Sequence, residues 1–261
     1  MPQFIRQSTA TGVATITLTR PDLHNAFNDD MMREITDCFA SLAVSPDVRM
    51  IVLAGEGKSF CAGADVNWMK RMVGYSFDEN VNDATVLAKM LRTIRECPKP
   101  VVARVHGAAY GGGVGLVAAC DMAVAIAGAT FCLSEVRLGI VPAVISPFVI
   151  EKIGLSAARR YALTAERFDA AEARRIGLIS ECVDKAEQLD LWIANVAESI
   201  AGCGPAAIAA CKQILSHMAG QKWDEAQTYT TQQIARIRVS PEGQEGLKAF
   251  LEKRKPIFNG L

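Results

Sequence analysis

Val101-Val102-Ala103-Arg104-Val105-His106-Gly107-Ala108-Ala109-Tyr110-Gly111-Gly112-Gly113 passes from an apolar, strand-like run into a glycine cluster. An earlier stretch has the same form. Arg49 to Ala54 reads as a buried strand and leads into Ser59-Phe60-Cys61-Ala62-Gly63-Ala64-Asp65. Small residues where a strand hands over to a helix leave backbone N–H groups unpaired and accessible. Two such donors from separate loops can grip a single oxygen as negative charge develops on it. Glu135, further along, offers a carboxylate able to move a proton. The pattern predicts an α/β protein and an oxyanion-stabilised reaction at a carbonyl compound.

Around these loops the hydrophobic period switches between two values. Val13-Ala14-Thr15-Ile16-Thr17-Leu18-Thr19 alternates as a strand does. Asn28 caps a helix with Asp29 and Asp30 in its first turn, and Met32, Ile35, Phe39 and Leu42 form its apolar face. Ser76 with Glu79 makes a capping box opening a long helix, with Ala84, Leu87, Leu91 and Ile94 on one side. Pro98 and Pro100 end that helix. Met122 to Ala127 and Thr130 to Leu133 are further strand candidates, and Asp169 with Glu172 is a second capping box. Beyond residue 185 the pattern is helical. The expected layout is a core over residues 1–195 and a helical region over 196–261.

With 261 residues, half of them hydrophobic, the chain can bury a substantial core. Twenty-eight basic residues balance 28 acidic ones, so nothing favours a nucleic-acid partner. No apolar run approaches the roughly twenty residues of a membrane span. The opening residues lack the features of a signal peptide. Eight cysteines lie scattered without a CxxC pair and read as reduced core residues. His24, His106 and His217 lack zinc-ligand spacing. A cytoplasmic, metal-free protein is the expectation.

Each candidate has a plainer reading. Glycine clusters mark ordinary turns. Gly113-Val114-Gly115-Leu116-Val117-Ala118 fits the GxGxxA dinucleotide fingerprint, with Glu135 about twenty residues on. That fingerprint usually opens its domain, whereas here several elements come first, and it gives the earlier glycine loop no role. A nicotinamide-dependent oxidoreductase is therefore the second-ranked reading. Glu135 lies among apolar residues that would raise its pKa and suit it to proton transfer; a structural ion pair with Arg137 or another arginine is equally open. His24 and His106 read as hydrogen-bonded core residues, Lys70-Arg71 as a solvated helix face, and Tyr110 as packing.

Taken together, Arg20-Pro21-Asp22-Leu23-His24-Asn25-Ala26-Phe27, Ser59 to Asp65, Gly107 to Asp121, Ser134 to Pro142 and Phe250 to Phe258 resemble the crotonase family of enoyl-CoA hydratases and isomerases. The resemblance covers essentially the whole chain. It implies a spiral of ββα units with a helical C-terminal trimerisation region, a homotrimer or homohexamer, and an acyl-CoA thioester as substrate. No separate cofactor is implied, since coenzyme A is part of that substrate. The backbone N–H groups of Ala64 and Gly112 would form the oxyanion hole, with Glu135 as acid/base. Ala26, Ala62, Asp65, Val66 and Asn67 would lie along the coenzyme A moiety. Phe258, with Lys255 nearby, would cover its nucleotide end, often from a neighbouring subunit.

One position departs from the family pattern. Hydratases of the family usually carry two glutamates, and Gly115 stands where the first would be. A single Glu135 can hydrate a double bond or shuttle a proton between two carbons in an isomerisation. A non-catalytic coenzyme A-binding scaffold is a further possibility. The stretches Gly111 to Asp121 and Glu135 to Pro147 look like bacterial methylglutaconyl-CoA hydratases, and similar also to hydratases of acyclic terpenoid breakdown, which tips the expectation toward hydration. Arg137, Lys70 and Arg71 are the candidates to meet a second carboxylate on such a substrate.

Overall fold

The computed structural model describes residues 3–218 and 220–258. It opens with β1 (Ile5–Ala10) and β2 (Val13–Leu18), paired antiparallel through a turn at Thr11 and Gly12. Ala14, Ile16 and Leu18 of β2 are buried while its threonines are only half-buried, the period-two pattern made physical. α1 (Asp29–Val44) follows, and Asn28 caps it by accepting from the Met31 amide at 2.9 Å. Met32, Ile35, Phe39 and Leu42 are all buried along its apolar face.

The chain then repeats one unit, a strand and a short strand leading into helix. β3 (Met50–Gly55) and β4 (Ser59–Cys61) lead to α2 (Val66–Met72) and α3 (Phe77–Glu96). β5 (Val101–Val105) and β6 (Ala108–Tyr110) lead to α4 (Gly112–Ala119). β7 (Met122–Ile126) and β8 (Thr130–Cys132) lead, through a 3-10 turn at Glu135–Leu138, to α5 (Ser146–Thr164). β9 (Phe168–Asp169), α6 (Ala170–Arg175) and β10 (Glu181–Val183) complete the sheets. The first strand of each unit enters a six-stranded sheet ordered β1-β2-β3-β5-β7-β10, and the second a four-stranded sheet ordered β4-β6-β8-β9. Apart from the β1–β2 and β8–β9 pairs, all neighbours run parallel. This is the ββα spiral that the motifs imply.

The residues read from sequence as two glycine loops turn out to contain strands, β4 and β6. Each has three residues, too few to express a period, and exists because it pairs with its neighbour. Asp169 does cap α6, accepting from the Glu172 amide, but the Glu172 carboxylate turns to Arg175 and Tyr161, so no reciprocal box forms. Cys61, Cys97, Cys120 and Cys132 are buried, whereas Cys203 and Cys211 are exposed.

The C-terminal part comprises α7 (Ala186–Ala201), α8 (Pro205–Met218), α9 (Trp223–Val239) and α10 (Pro241–Leu251). A boundary between 195 and 196 cuts α7, which is unbroken there. Leu189, Ile193 and Ile200 of that helix cover Met50, Val52, Val102 and Val124 on the large sheet, so α7 belongs to the core and the chain turns away only at 202–204. Among the described residues no single helix is long and apolar enough to cross a membrane.

Asn25 ties the segment before α1 to the β3–β4 connection. Fully buried and at φ +54°, it accepts from the Arg20 amide at 2.9 Å through Oδ1 and donates through Nδ2 to the carbonyls of Glu56 and Ser59, each at 2.8 Å. Left-handed backbone suits asparagine better than most residues. Asn25→Ala strands these backbone partners and is expected to cost about 3 kcal/mol, given the price of burying unpaired polar groups. Urea unfolding measures this, and a midpoint equal to the parent's would refute the assignment.

Candidate active site

Three adjacent parallel strands of the small sheet, β4, β6 and β8, end on the same side, and each releases one group into a common space. Ala64 follows β4, Gly112 follows β6 and Glu135 follows β8. Open α/β sheets bind ligands at the carboxyl ends of their strands for this reason: loops converge there.

Ala64 forms an isolated parallel bridge with Phe27. The Phe27 amide donates to the Gly63 carbonyl at 2.8 Å, and the Asp65 amide donates to the Phe27 carbonyl at 2.9 Å. In such a bridge the flanking residues make the bonds, so the N–H of Ala64 itself faces the other way. Gly112 opens α4 behind Gly111, which has no side chain to cap the helix. Among the described residues neither the Ala64 nor the Gly112 amide has an acceptor. The two loops touch: a Cβ on Gly63 would lie 3.4 Å from the Gly112 nitrogen.

Several glycines are required at this contact, and two show why. Gly111 takes φ +51° and ψ −120°, a conformation closed to L side chains. A Cβ on Gly113 would sit 2.1 Å from the Cys61 carbonyl oxygen, so only a bare Cα lets α4 press against the end of β4. Both Gly113 and Gly115 are buried within core contacts, which explains the GxGxxA spacing by packing and leaves no surface there for a pyrophosphate.

Glu135 closes the site. A Cβ on Gly111 would lie 3.1 Å from its Oε1, and its Oε2 is buried without a hydrogen-bond partner among the described residues. Burial pushes its carboxyl above the ordinary value. The ion-pair alternative fails, because Arg137 donates instead to the Ala165 carbonyl at 2.6 Å and Glu135 has no salt bridge among the described residues. Ala64, Gly112 and Glu135 line one cavity of about 360 Å³, whose wall is otherwise mostly apolar, with Trp68, Met72 and Leu87 prominent. A larger hollow of about 660 Å³ between the large sheet and α7 brings no converging amides together.

The other candidate residues are placed as follows. Ala26 is buried and Ala62 half-buried beside the Ala64 loop, while Val66 and Asn67 are exposed at the start of α2. The Asp65 carboxylate is not free: it accepts from the Asn67 amide at 2.6 Å, the Trp68 amide at 3.3 Å and Arg20 at 2.6 Å. Burial alone would raise this carboxyl, but the Arg20 and amide hydrogen bonds outweigh it and hold it below its ordinary value. Asp65 therefore shapes the loop. Lys255 and Phe258 follow α10 and do not line the cavity, and the Phe258 ring lies against Gly246. Nor do Arg137, Lys70 or Arg71 reach it; Arg71 is paired with Asp29. His24 shares a hydrogen bond with Ser59, His106 with the Gly57 carbonyl and Tyr110 with Thr130, all structural.

Gly115, where a second glutamate would stand, backs onto α5: a Cβ there would lie 2.4 Å from Ile145 Cγ2. The place of that side chain is filled. Asn25, Ile145 and Asp83 are the contributors that sequence reasoning passed over. Asn25 and Ile145 lie within quoted motifs, and Asp83 left a signal as a charge beside Ala84 and Leu87 on the apolar stripe of α3.

A family model described as enoyl-CoA hydratase/isomerase matches residues 8–260. An enoyl-CoA hydratase of Alternaria alternata, AKT6-1, is 33% identical over 252 residues, covering 94% of this chain and 80% of that protein. The peroxisomal Delta(3,5)-Delta(2,4)-dienoyl-CoA isomerase of Arabidopsis thaliana is 32% identical over 271 residues, covering 99% and 97%. Among solved structures, an enoyl-CoA hydratase from Shewanella pealeana superimposes with a TM-score of 0.94 at 41% identity, covering 98% of this chain and 96% of that one.

Two stability outcomes follow from this geometry. Gly115→Ala is expected to destabilise by about 1–3 kcal/mol through overpacking. Adding Ile145→Ala to the same chain should relieve part of that loss; if the double variant instead shows the full sum of the single losses, the contact is misassigned. Glu135→Gln should be more stable than the parent at neutral pH, because the fold disfavours the ionised carboxyl. A raised native pKa means that the parent loses stability as pH rises through the unfolded carboxyl range toward the native value. Melts of both proteins across pH should therefore converge in acid and separate above it.

Proposed function

This chain belongs to the enoyl-CoA hydratase/isomerase family, and on that premise we propose that it adds water across the conjugated double bond of an acyl-CoA thioester. The observation that carries the reading is the single cavity shared by the Ala64 amide, the Gly112 amide and the buried Glu135. Water attack at Cβ pushes the double-bond electrons onto the thioester oxygen. Two fixed N–H donors stabilise that enolate oxygen, and losing one such donor typically costs about 3 kcal/mol of barrier. Glu135, its carboxyl raised by burial, holds a proton at neutrality more readily than an exposed glutamate and can deliver it to Cα. The apolar walls keep bulk water from competing for the enolate.

The coenzyme A moiety is assigned to Ala26, Ala62, Asp65, Val66 and Asn67, through backbone and loop shape more than through the occupied Asp65 carboxylate. Lys255 and Phe258 are assigned to the nucleotide end of a neighbouring copy. Exposed Trp223, Val239, Leu247, Phe250 and Leu251 on the C-terminal helices support assembly as a trimer or a pair of trimers, since apolar patches of this kind mark interfaces. For the acyl group, the likeness around Gly111 to Asp121 and Glu135 to Pro147 favours 3-methylglutaconyl-CoA. Its distal carboxylate finds no arginine or lysine on the described cavity wall, so the test includes acyl groups without one.

Isomerisation is the second reading, favoured by the missing carboxylate at Gly115. A panel of crotonyl-CoA, 3-methylglutaconyl-CoA and a 3-enoyl-CoA separates them: hydration removes the conjugated absorbance of the first two, whereas isomerisation creates it from the third. Hydration is the expected outcome. Glu135→Gln should lower kcat by about two or more orders of magnitude while leaving acyl-CoA binding largely intact. Near-parental turnover by that variant would end the assignment.

A further inference from the structure

Water addition has two protons to manage: one leaves the water and one arrives on Cα. Gly115 removes the usual second acid, and Ile145 fills the space it would take. Yet a second carboxylate does line the cavity. We propose that Asp83 is the second catalytic carboxylate, taking the proton from the attacking water while Glu135 serves Cα. The proposal rests on the hydratase reading above.

Asp83 reaches the site from α3, a different segment of the wall from the turn that carries Glu135. It shares a helical face with Asn80, Ala84 and Leu87, which line the same cavity. Its Oδ1 accepts from the Trp68 indole Nε1 at 2.8 Å, and its Oδ2 has no partner among the described residues. Trp68 is itself anchored to the Ala64 loop, since its amide donates to Asp65 Oδ1 at 3.3 Å. The carboxylate is thereby held relative to the oxyanion amides, with one oxygen left for water. No other described residue of the cavity wall besides Glu135 carries a carboxyl.

The roles divide by position. Glu135 lies beside Gly111, next to the Gly112 amide that would hold the thioester oxygen, and so next to Cα. Ionised Asp83 takes a proton from water as the water oxygen bonds to Cβ and the carbon–carbon π pair moves toward the thioester oxygen. The enolate then collapses and Cα takes the proton of Glu135. Solvent returns a proton to Glu135 and removes one from Asp83, so charge and atoms balance. Burial raises both carboxyls; the Trp68 indole opposes the rise at Asp83, and the residue's own backbone N–H opposes it at Glu135.

Asp83→Asn keeps the acceptor for Trp68 and removes only the base. Two rates decide the matter: hydration of the best enoyl-CoA, and exchange of the Cα proton of butyryl-CoA in deuterated water. The second needs Glu135 and the amides but no water activation. Hydration by Asp83→Asn is expected to fall about a hundredfold or more, with exchange close to that of the parent, whereas Glu135→Gln loses both. Asp83→Glu, which retains a carboxylate, should hydrate faster than Asp83→Asn. Unimpaired hydration by Asp83→Asn in a parent that hydrates, or a parallel fall of both rates, overturns the role of Asp83. A parent that hydrates no enoyl-CoA at all would instead overturn the hydratase reading beneath it.

Discussion

Two backbone segments, 61–64 and 111–113, approach each other more closely than any intervening side chain would allow. Cβ atoms on Gly63 and Gly113 would fall 2.9 Å from the Tyr110 carbonyl oxygen and 2.1 Å from the Cys61 carbonyl oxygen. That approach brings an uncapped helix start against a bridge residue whose amide faces away from its own partner strand. Unpaired amides at a surface would bond to water. Here they line a cavity with apolar walls, where a hydrogen bond to a developing charge is worth more than in bulk solvent.

The scaffold exists to hold that contact. Parallel pairing of β4, β6 and β8 sets the spacing of the three loops that carry Ala64, Gly112 and Glu135. Arg20 and Asn25 then fix the first loop from behind, Arg20 through Asp65 and the Ala26 carbonyl, Asn25 through the β3–β4 connection. These are buried polar groups with their partners in place, the condition under which such groups specify a structure. Glu135 in the cavity differs. Its Oε2 is buried and unpartnered, an energetic cost that makes sense at a site where a substrate group or water completes the bonding.

The cavity wall has a second organising feature. Trp68 and Asp83 join α2 to α3, so the helix on one side of the cavity is tied to the helix that follows the Ala64 loop. The α5 start contributes Ile145, which occupies the space beside Gly115. One wall is thus filled by packing at Gly115, and the other presents the Asp83 carboxylate. The remaining elements, α8 to α10, leave large apolar side chains exposed and take no part in the cavity of their own chain.

Much of this architecture was legible in the residues. Period and caps located β2, α1, α3 and β5, and five ordered motifs identified the family, because local propensity and backbone-demanding glycines act over a few residues. The short strands β4 and β6, the core membership of α7 and the irrelevance of Arg137 to Glu135 were not legible. Each depends on which distant segment lies alongside. Local pattern was enough to name the two small-residue loops and one carboxyl in apolar surroundings as the groups that could do chemistry. That Glu135 lacks an ion-pair partner among the described residues, that Ile145 rather than a side chain at 115 fills that wall, and that Asp83 shares the space all came from folding. Hydrogen-bond partners and excluded volume are properties of residues far apart in the chain, and no local pattern encodes them.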